Sequence, residues 1–466
     1  MCGILAVSNY EADAVYDIYV GLGGLQHRGK ESAAMVVGSP KGYVWAGGMG
    51  EVPQAFQNVD LRTLGGCIGL GHVRYGTAGS SSHENIQPIR GLFHGREFYV
   101  VHNGNLVNTR DLRKQVSVSD DCSDTRVIAE LVACSSRRDF DRAVSEVITK
   151  LQGAFNLVFL FEGELHAFRD PFGFHPLQVG RRQHDIIIAS ESCVCDDLGA
   201  SILRDMRPGE SLLIRGNRTI SVHWTIGSLK YDLFEKIYFE RPDSVIHGVE
   251  AGTARECMGL YLAKEAPVDA DVVVPVPDSG NQAALGYWSG LVEQRFRPRF
   301  DPWALFRRHG ISRTFIEPMQ ERRQQYLRLK FNPRPASLKG KRVVLVDDSI
   351  VRGNTAKRVV QAVRDAGARE VHMRVASPMY LYPDFYGIDT YRITGELVAR
   401  RLNENLAKIC QEIGSDSLVY LGLDSTIASV LKAGGLNSEF RDDQSFYTGP
   451  FTGEYPAGAG DFASLL

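Results

Sequence analysis

The chain has 466 residues, too many for one ordinary hydrophobic core, and predicts two or three domains. Apolar residues make up 44% and charged residues 23%, the balance of a soluble globular protein, and a net charge of −2 excludes a whole-chain basic field for nucleic acid or an acidic membrane surface. No apolar run approaches the ~18 residues that span a bilayer. Glu11, Asp13 and Asp17 interrupt what would be the apolar core of a signal peptide, and eight scattered cysteines form no disulfide framework, so the reading is cytoplasmic with reduced thiols. Cys193 and Cys195 make a single C-x-C with no partner pair, which fits small buried thiols better than a metal site.

Met1-Cys2-Gly3 precedes a strand-like run, ILAVS. Removal of Met1 alone, with no longer propeptide, is expected to make Cys2 N-terminal. One residue then holds a thiol nucleophile and, in its α-amine of ordinary pKa near ~8, a base that takes the thiol proton and returns it to a leaving group.

From Cys2 to about Trp224 short, often alternating apolar runs predict strands at 2–8, 66–75, 97–103, 155–161, 165–168, 185–190, 210–215 and 219–224. Helical periodicity marks 13–25, 123–134 and 138–152, the second with Ser123-Asp124 as its cap. That mixture is α+β, with antiparallel sheets and outer helices.

Polar residues gather where these strands end. GHVRYGTAG (71–79) sets His72, Arg74 and Thr77 on a strand end and its turn, and HNGNLVN (102–108) sets Asn103-Gly104 after the apolar run FYVV. A glycine N–H and an asparagine amide supply the two donors that a tetrahedral oxyanion needs. Arg74 suits an α-carboxylate and Asp124, in SDTR (123–126), an α-ammonium. Thiol, oxyanion donors and two clamps together describe a site for a free amino acid with a side-chain amide.

After a connection at 225–246, the pattern changes. DVVVPVP (271–277), KRVVLVDDS (341–349) and REVHMRVAS (369–377) are β-rich runs separated by helix-period segments such as 356–366, which predicts a parallel sheet with crossover helices. VVLVDDSIVRGNT (343–355) runs from a buried strand into two carboxylates, a Gly-containing loop and a helix. The loop and helix N–H groups make a phosphate cradle, to which Thr355 adds a hydroxyl. Asp347 and Asp348 suit vicinal hydroxyls or a Mg²⁺ shell.

MCGILAVS, LQHRGKESA (25–33), GHVRYGTAG, HNGNLVN, SDT and RDPFGFHPL (169–177) resemble the glutamine amidotransferase domain of the amidophosphoribosyltransferase family, an N-terminal-nucleophile (Ntn) hydrolase. Asparagine synthetases and glucosamine-6-phosphate synthases share that domain. The 343–355 stretch resembles the phosphoribosyl-pyrophosphate (PRPP) motif of type I phosphoribosyltransferases, PVPDSGN (275–281) stands at the pyrophosphate loop, and SRTFIEP (312–318) with RLKFN (328–332) matches the mobile loop and its basic segment. The resemblance covers roughly residues 2–433, with both domains in order.

It implies an αββα sandwich (Ntn hydrolase) at 2–230, an α/β parallel-sheet type I phosphoribosyltransferase domain at 231–433, and a tail at 434–466 that is loosely ordered or a strap over its neighbour. Carried onto matching positions, Cys2 is the nucleophile, Asn103 and Gly104 form the oxyanion hole, and Arg74, Thr77 and Asp124 bind glutamine. Asp347, Asp348, Ser349, Val351, Arg352, Gly353, Asn354, Thr355, Asp278, Ser279 and Lys330 would bind PRPP, with Asp347 and Asp348 toward Mg²⁺. The implied reaction hydrolyses glutamine and passes ammonia to C1 of PRPP, with glutamine and PRPP as small-molecule partners and a homo-oligomer, dimer or tetramer, as the assembly.

Some positions depart from the family pattern. The iron–sulfur members use four cysteines where this chain has Asp232, Asp384, Tyr447 and Pro450, so no iron–sulfur cluster is expected. Gly280 replaces a Mg²⁺-associated Ser, Gly310 (in RRHGIS) replaces a Tyr, Asn354 enters the phosphate loop, and His175 stands where Arg is usual. The transferase-side departures motivate one alternative, a paralogue in a secondary pathway with another acceptor or amine; a second alternative, a PRPP-sensing regulator, has the intact Cys2, Asn103, Gly104 and Asp124 against it.

Overall fold

The computed structural model describes residues 1–10, 12–39, 41–76, 83–119, 121–307 and 331–466. Thr77, Gly310, Lys330, the 312–318 segment and most of RLKFN lie outside the described residues.

The first strand, Gly3–Ser8, is buried on both faces, and its alternation divides the core. Leu5 and Val7 point to the helix Val15–Gly24, whereas Ile4 and Ala6 point to a second sheet. This strand sits between Asp185–Ala189 and Ile68–Arg74 in a seven-stranded antiparallel sheet, which Gln178–Arg182, Ser201–Asp205, Ser32–Ser39 and Gly42–Met49 complete. A six-stranded antiparallel sheet faces it, with Arg96–Leu106 paired to Gly153–Phe161 at its centre. In the Arg96–Leu106 strand Tyr99 and Val101 meet the first sheet, while Phe98 and Val100 meet the helices Asp124–Ala133 and Phe140–Ile148. The result is the expected αββα sandwich. Ser123 caps its helix as predicted, its side chain accepting from the Arg126 amide.

Five strands that periodicity passed over belong to these sheets: Ser32–Ser39, Gly42–Met49, Ile89–Phe93, Gln178–Arg182 and Ser201–Asp205. Two of them, Ser32–Ser39 and Gly42–Met49, are rich in Ala and Gly, and pairing with a neighbour rather than side-chain pattern fixes them.

The connection at 225–246 contains a short strand, Tyr231–Asp232. Glu235–Phe239 forms one π-helical turn, with Glu235 and Lys236 fully buried and Lys236 Nζ 2.8 Å from Glu240. Beyond it a five-stranded sheet, wholly parallel, runs in the order Arg299–Phe300, Val272–Pro275, Arg342–Asp347, Glu370–Val375, Ser417–Tyr420. The amphipathic helix Asn354–Asp365 buries Ala356, Val359, Val360 and Val363 against it.

The end of the chain is a strap. Phe446–Tyr447 pairs in parallel with Tyr231–Asp232. Tyr447, Tyr455 and Phe462 pack with Phe174 of the sandwich and with Phe385 and Tyr386 beyond it.

Candidate active site

Gly3 pairs with Val73 and Ile4 with His72, so register alone carries Cys2 to the end of the strand that bears Arg74. Cys2 is buried, and its Sγ receives the Tyr75 amide at 3.4 Å. Burial pushes the thiol up, against the pull of the N-terminal amine, the Tyr75 amide and Arg74.

The Cys2 amide nitrogen donates to Asn103 Oδ1 at 3.0 Å. That contact consumes the acceptor end of the Asn103 carboxamide. The donor end, Nδ2, is buried and has no hydrogen-bond partner among the described residues. A buried orphan donor costs of order 1–3 kcal/mol, which a developing oxyanion would relieve.

Asn103-Gly104 does not follow the strand but lies inside it, because Arg96–Leu106 runs on past both residues. Gly104 adopts φ +142°, and a Cβ there would come 2.1 Å from the Ala154 carbonyl oxygen, so only glycine lets the two backbones approach.

Asp124 opens its helix beneath this strand, accepting from the Leu106 amide at 3.3 Å and the Thr125 amide at 2.8 Å. Burial alone would raise its carboxyl, but His102 beside it and those two amides hold it below the usual range, as an anion. Arg74, also buried, is ion-paired to Glu31.

Arg28 was not singled out in the sequence, and it is fully buried beneath Cys2. Its Nε donates to the Cys2 carbonyl oxygen at 2.9 Å, while its other nitrogens reach Glu191 at 2.5 Å and Glu235 at 2.7 Å. The signal was in LQHRGKESA, but its two carboxylate partners lie 163 and 207 residues downstream.

At the C-terminal edge of the parallel sheet, the Arg342–Asp347 strand ends in its acidic pair. Both carboxylates are nearly buried; Asp347 Oδ1 accepts from the Asp348 amide at 3.0 Å and Asp348 Oδ2 from the Ser349 hydroxyl at 2.6 Å. Val351 and Arg352 follow, then Gly353 at φ +83°, the N-cap of a twelve-residue helix that begins with exposed Asn354 and Thr355. A loop, a left-handed glycine and a helix N-terminus thus follow the acidic pair in the order read from the sequence. Asp278 and Ser279 lie on the neighbouring loop, where Asp278 pairs with Arg307 at 3.0 Å. Gly280 has a steric reason: a Cβ there would sit 2.5 Å from the Val346 carbonyl oxygen and 2.8 Å from that of Val276, too close for the family's serine without a shift.

Of the four positions that carry cysteines in the iron–sulfur members, Asp232, Asp384 and Tyr447 lie together. The Tyr447 hydroxyl donates to Asp384 Oδ1 at 2.8 Å, Asp232 faces Tyr447 across the parallel pair, and the Pro450 carbonyl accepts from Leu381 and Tyr382. None offers a thiolate, and burial beside Asp384 pushes Asp232 well up, toward a neutral acid. These residues do not fit an iron–sulfur cluster.

A sandwich with a cysteine at the lip of its central strand, joined to a parallel sheet with an acid pair and phosphate loop, defines a class: Ntn-type glutamine amidotransferase fold plus phosphoribosyltransferase fold. A glutamine amidotransferase domain family model matches residues 72–195. Amidophosphoribosyltransferase of Methanocaldococcus jannaschii is 38% identical, over 92% of this chain and 94% of its own. Amidophosphoribosyltransferase 1, chloroplastic, of Arabidopsis thaliana is 40% identical, over 99% of this chain and 81% of its own. The solved glutamine PRPP amidotransferase from B. subtilis, complexed with ADP and GMP, superposes with a TM-score of 0.88 at 36% identity, covering 98% of both chains. The chain belongs to the amidophosphoribosyltransferase family.

Proposed function

We propose that this chain hydrolyses glutamine at Cys2 and delivers the ammonia to C1 of PRPP, giving glutamate, 5-phosphoribosylamine and pyrophosphate, the first committed step of purine synthesis. The observation that carries the reading is the split use of Asn103. Its oxygen accepts from the nitrogen that Met1 removal would turn into the α-amine, and its Nδ2 is left to donate.

The Cys2 thiol loses its proton to that amine, and the sulfur attacks the glutamine carboxamide carbon. Asn103 Nδ2 and the Gly104 amide stabilise the oxyanion. Ammonia leaves with the returned proton, and water then cleaves the thioester to glutamate and free thiol. Arg74 is assigned to the α-carboxylate, with Thr77 beside it, and Asp124 to the α-ammonium.

Ammonia released into water would be protonated and lose its lone pair, so it must pass inside the protein. Tyr75 suits such a wall: its amide touches Cys2 Sγ, and its hydroxyl, pushed up by burial, also feels Asp389 and Arg352 of the far site. At that site the ribose hydroxyls are assigned to Asp347 and Asp348, the 5-phosphate to residues 349–355, and the pyrophosphate to Asp278, Ser279 and Lys330. Ammonia attacks C1 as the C1–O bond to pyrophosphate breaks, so the protein's work is positioning and charge neutralisation. Asp347 and Asp348, adjacent hard oxygen donors, fit Mg²⁺, which when bound would neutralise charge on the leaving group.

We place the glutaminase unit at 2–230, the transferase unit at 231–433 and the strap at 434–466. A cytoplasmic setting is supported by eight unpaired cysteines, and among the described residues no helix is long and apolar enough to cross a membrane. The test is glutamine hydrolysis with and without PRPP, with pyrophosphate and phosphoribosylamine measured together. Glutamate and pyrophosphate formed one for one with phosphoribosylamine is the expected result. PRPP-stimulated hydrolysis yielding no phosphoribosylamine would instead point to another acceptor.

A further inference from the structure

Beneath Cys2 lies a line of buried polar groups that ends on the transferase side. Arg28 Nε holds the Cys2 carbonyl at 2.9 Å, and Glu235 holds Arg28 at 2.7 and 3.2 Å. His175 Nδ1 lies 3.4 Å from Glu235 Oε1, within ion-pair distance but without a hydrogen bond, and His175 Nε2 lies 2.7 Å from the Tyr386 carbonyl oxygen. A carbonyl only accepts, so Nε2 carries the hydrogen. Arg28, His175, Glu235 and Tyr386 have 0% exposure, which leaves water no route to substitute for any of these contacts.

The arrangement is balanced about Arg28. Its guanidinium lies between two carboxylates, Glu191 and Glu235, and each has its own imidazole, His27 on Glu191 at 2.8 Å and His175 on Glu235. Without His175, Glu235 keeps only Arg28 as a basic partner in this set, and buried charges move to recover pairing. Arg28 would then be drawn toward Glu235 and away from the Cys2 carbonyl.

The ring itself is set from outside the sandwich. The backbone amides of Tyr386, Gly387 and Ile388 all donate to Asp384 Oδ2 at 2.8–2.9 Å, which fixes the turn that presents the Tyr386 carbonyl. A Cβ on Gly387 would stand 2.8 Å from His175 Nε2, so the turn seats the imidazole closely. Asp389, next along, lies within electrostatic reach of Arg352 in the phosphate loop.

We propose that His175 is a positioning residue through which the transferase half orients the Cys2 nucleophile. This rests on the glutaminase reading above. Misplacing a nucleophile by about 1 Å costs on the order of 10²-fold in rate, and a shift passed through two side chains should cost less, roughly tenfold.

His175→Leu fills the site with no hydrogen bond, and His175→Gln keeps an N–H where Nε2 stands. The full-length parent and both variants are compared for glutamine-dependent and ammonia-dependent phosphoribosylamine formation. The Leu variant should lose about tenfold in glutamine kcat, with KM for glutamine and the ammonia-dependent rate within about twofold of the parent, and the Gln variant should be about as slow, because it keeps the Tyr386 bond but puts no basic group beside Glu235. A Leu variant at the parent's glutamine rate, a Gln variant at the parent's glutamine rate, or an equal fall in the ammonia-dependent rate would each overturn the role of His175. A parent that forms no glutamate from glutamine would overturn the glutaminase reading itself.

Discussion

The amide nitrogen of Cys2 and the side-chain oxygen of Asn103, 101 residues apart, meet at 3.0 Å. The bond orients the carboxamide so that Nδ2 is the only end left to donate. Asn103→Ala removes that donor, and Asn103→Asp keeps the acceptor while replacing the donor with a second oxygen. Both should lower glutamine kcat by about 10²–10³-fold with little change in KM. Steady-state glutaminase assays check this; an Asp variant near parental kcat would show that Nδ2 stabilises nothing.

Cys2→Ala deletes the proposed nucleophile and leaves the parallel sheet untouched. Glutamine-dependent product should fall to background, and product formed from ammonium salts at alkaline pH should stay within about twofold of the parent. Loss of both activities would mean that the thiol also holds the two halves together.

Asp347→Ala is the reverse case. Its carboxylate closes the Arg342–Asp347 strand and accepts from the Asp348 amide. Transfer should drop by about 10²-fold or more, while glutaminase measured without PRPP changes little. Chelation of divalent cations with EDTA should reproduce that pattern on the parent protein and be reversed by Mg²⁺. Transfer that survives chelation would rule out the assigned metal role.

The two halves differ in how openly the sequence declares them. VVLVDDSIVRGNT is local: strand, acids, loop and helix follow one another within 13 residues, so spacing alone placed every group. The glutaminase site is built across the chain, by Cys2, Arg28, Asn103, Glu191 and Glu235, and only sheet register and buried ion pairs bring these together. Asn103-Gly104 was read as an oxyanion pair but set one step too late, since the dipeptide favours turns and the ladder with Asn156 and Phe155 overrides that preference. Arg74 was read as a carboxylate clamp with no sign that Glu31, 43 residues earlier, pairs with it. Ser32–Ser39 went unseen because its Ala and Gly carry no period.

Acid sensitivity should include His72. Its ring is fully buried, with Nε2 3.1 Å from the His102 carbonyl. Burial foremost, then the charges of Arg74 and His102, lower it to about 3. Unfolding restores an ordinary imidazole near ~6.5. Between those values the unfolded chain binds the extra proton, so stability is full above the upper one and falls with pH by up to about 1.4 kcal/mol per unit. Asp389, raised to about 6 by burial, acts in the opposite sense over part of that window, so the comparison is made against His72→Asn. Urea midpoints from pH 7 to 5 should fall less steeply in the variant; parallel lines would remove His72 from the account.

The strap should govern whether the halves stay closed. Glu439 accepts from His247 Nδ1 at 2.7 Å, Tyr455 donates to the Pro383 carbonyl at 2.6 Å, and Phe462 stacks on Phe385 with the rings 8° from parallel. Asp461 returns to the sandwich, its amide donating to Val107 and its carboxylate accepting from the Arg110 amide. Ending the chain after Asn437 would uncover Phe174, Phe385 and Tyr386, all at 0% exposure. At roughly 1.5–3 kcal/mol for each large apolar side chain, that loss rivals the whole margin of a typical domain. The truncated protein should melt at least about 10 °C lower or aggregate, and should bind a hydrophobic dye that the full chain excludes. Tyr447→Phe removes only the hydroxyl bond to Asp384, which keeps three backbone donors, and should cost about 1 kcal/mol. A truncated chain that melted with the parent would mean the aromatic cluster closes without the strap, and His247 and Tyr386 would then be held by the two halves alone.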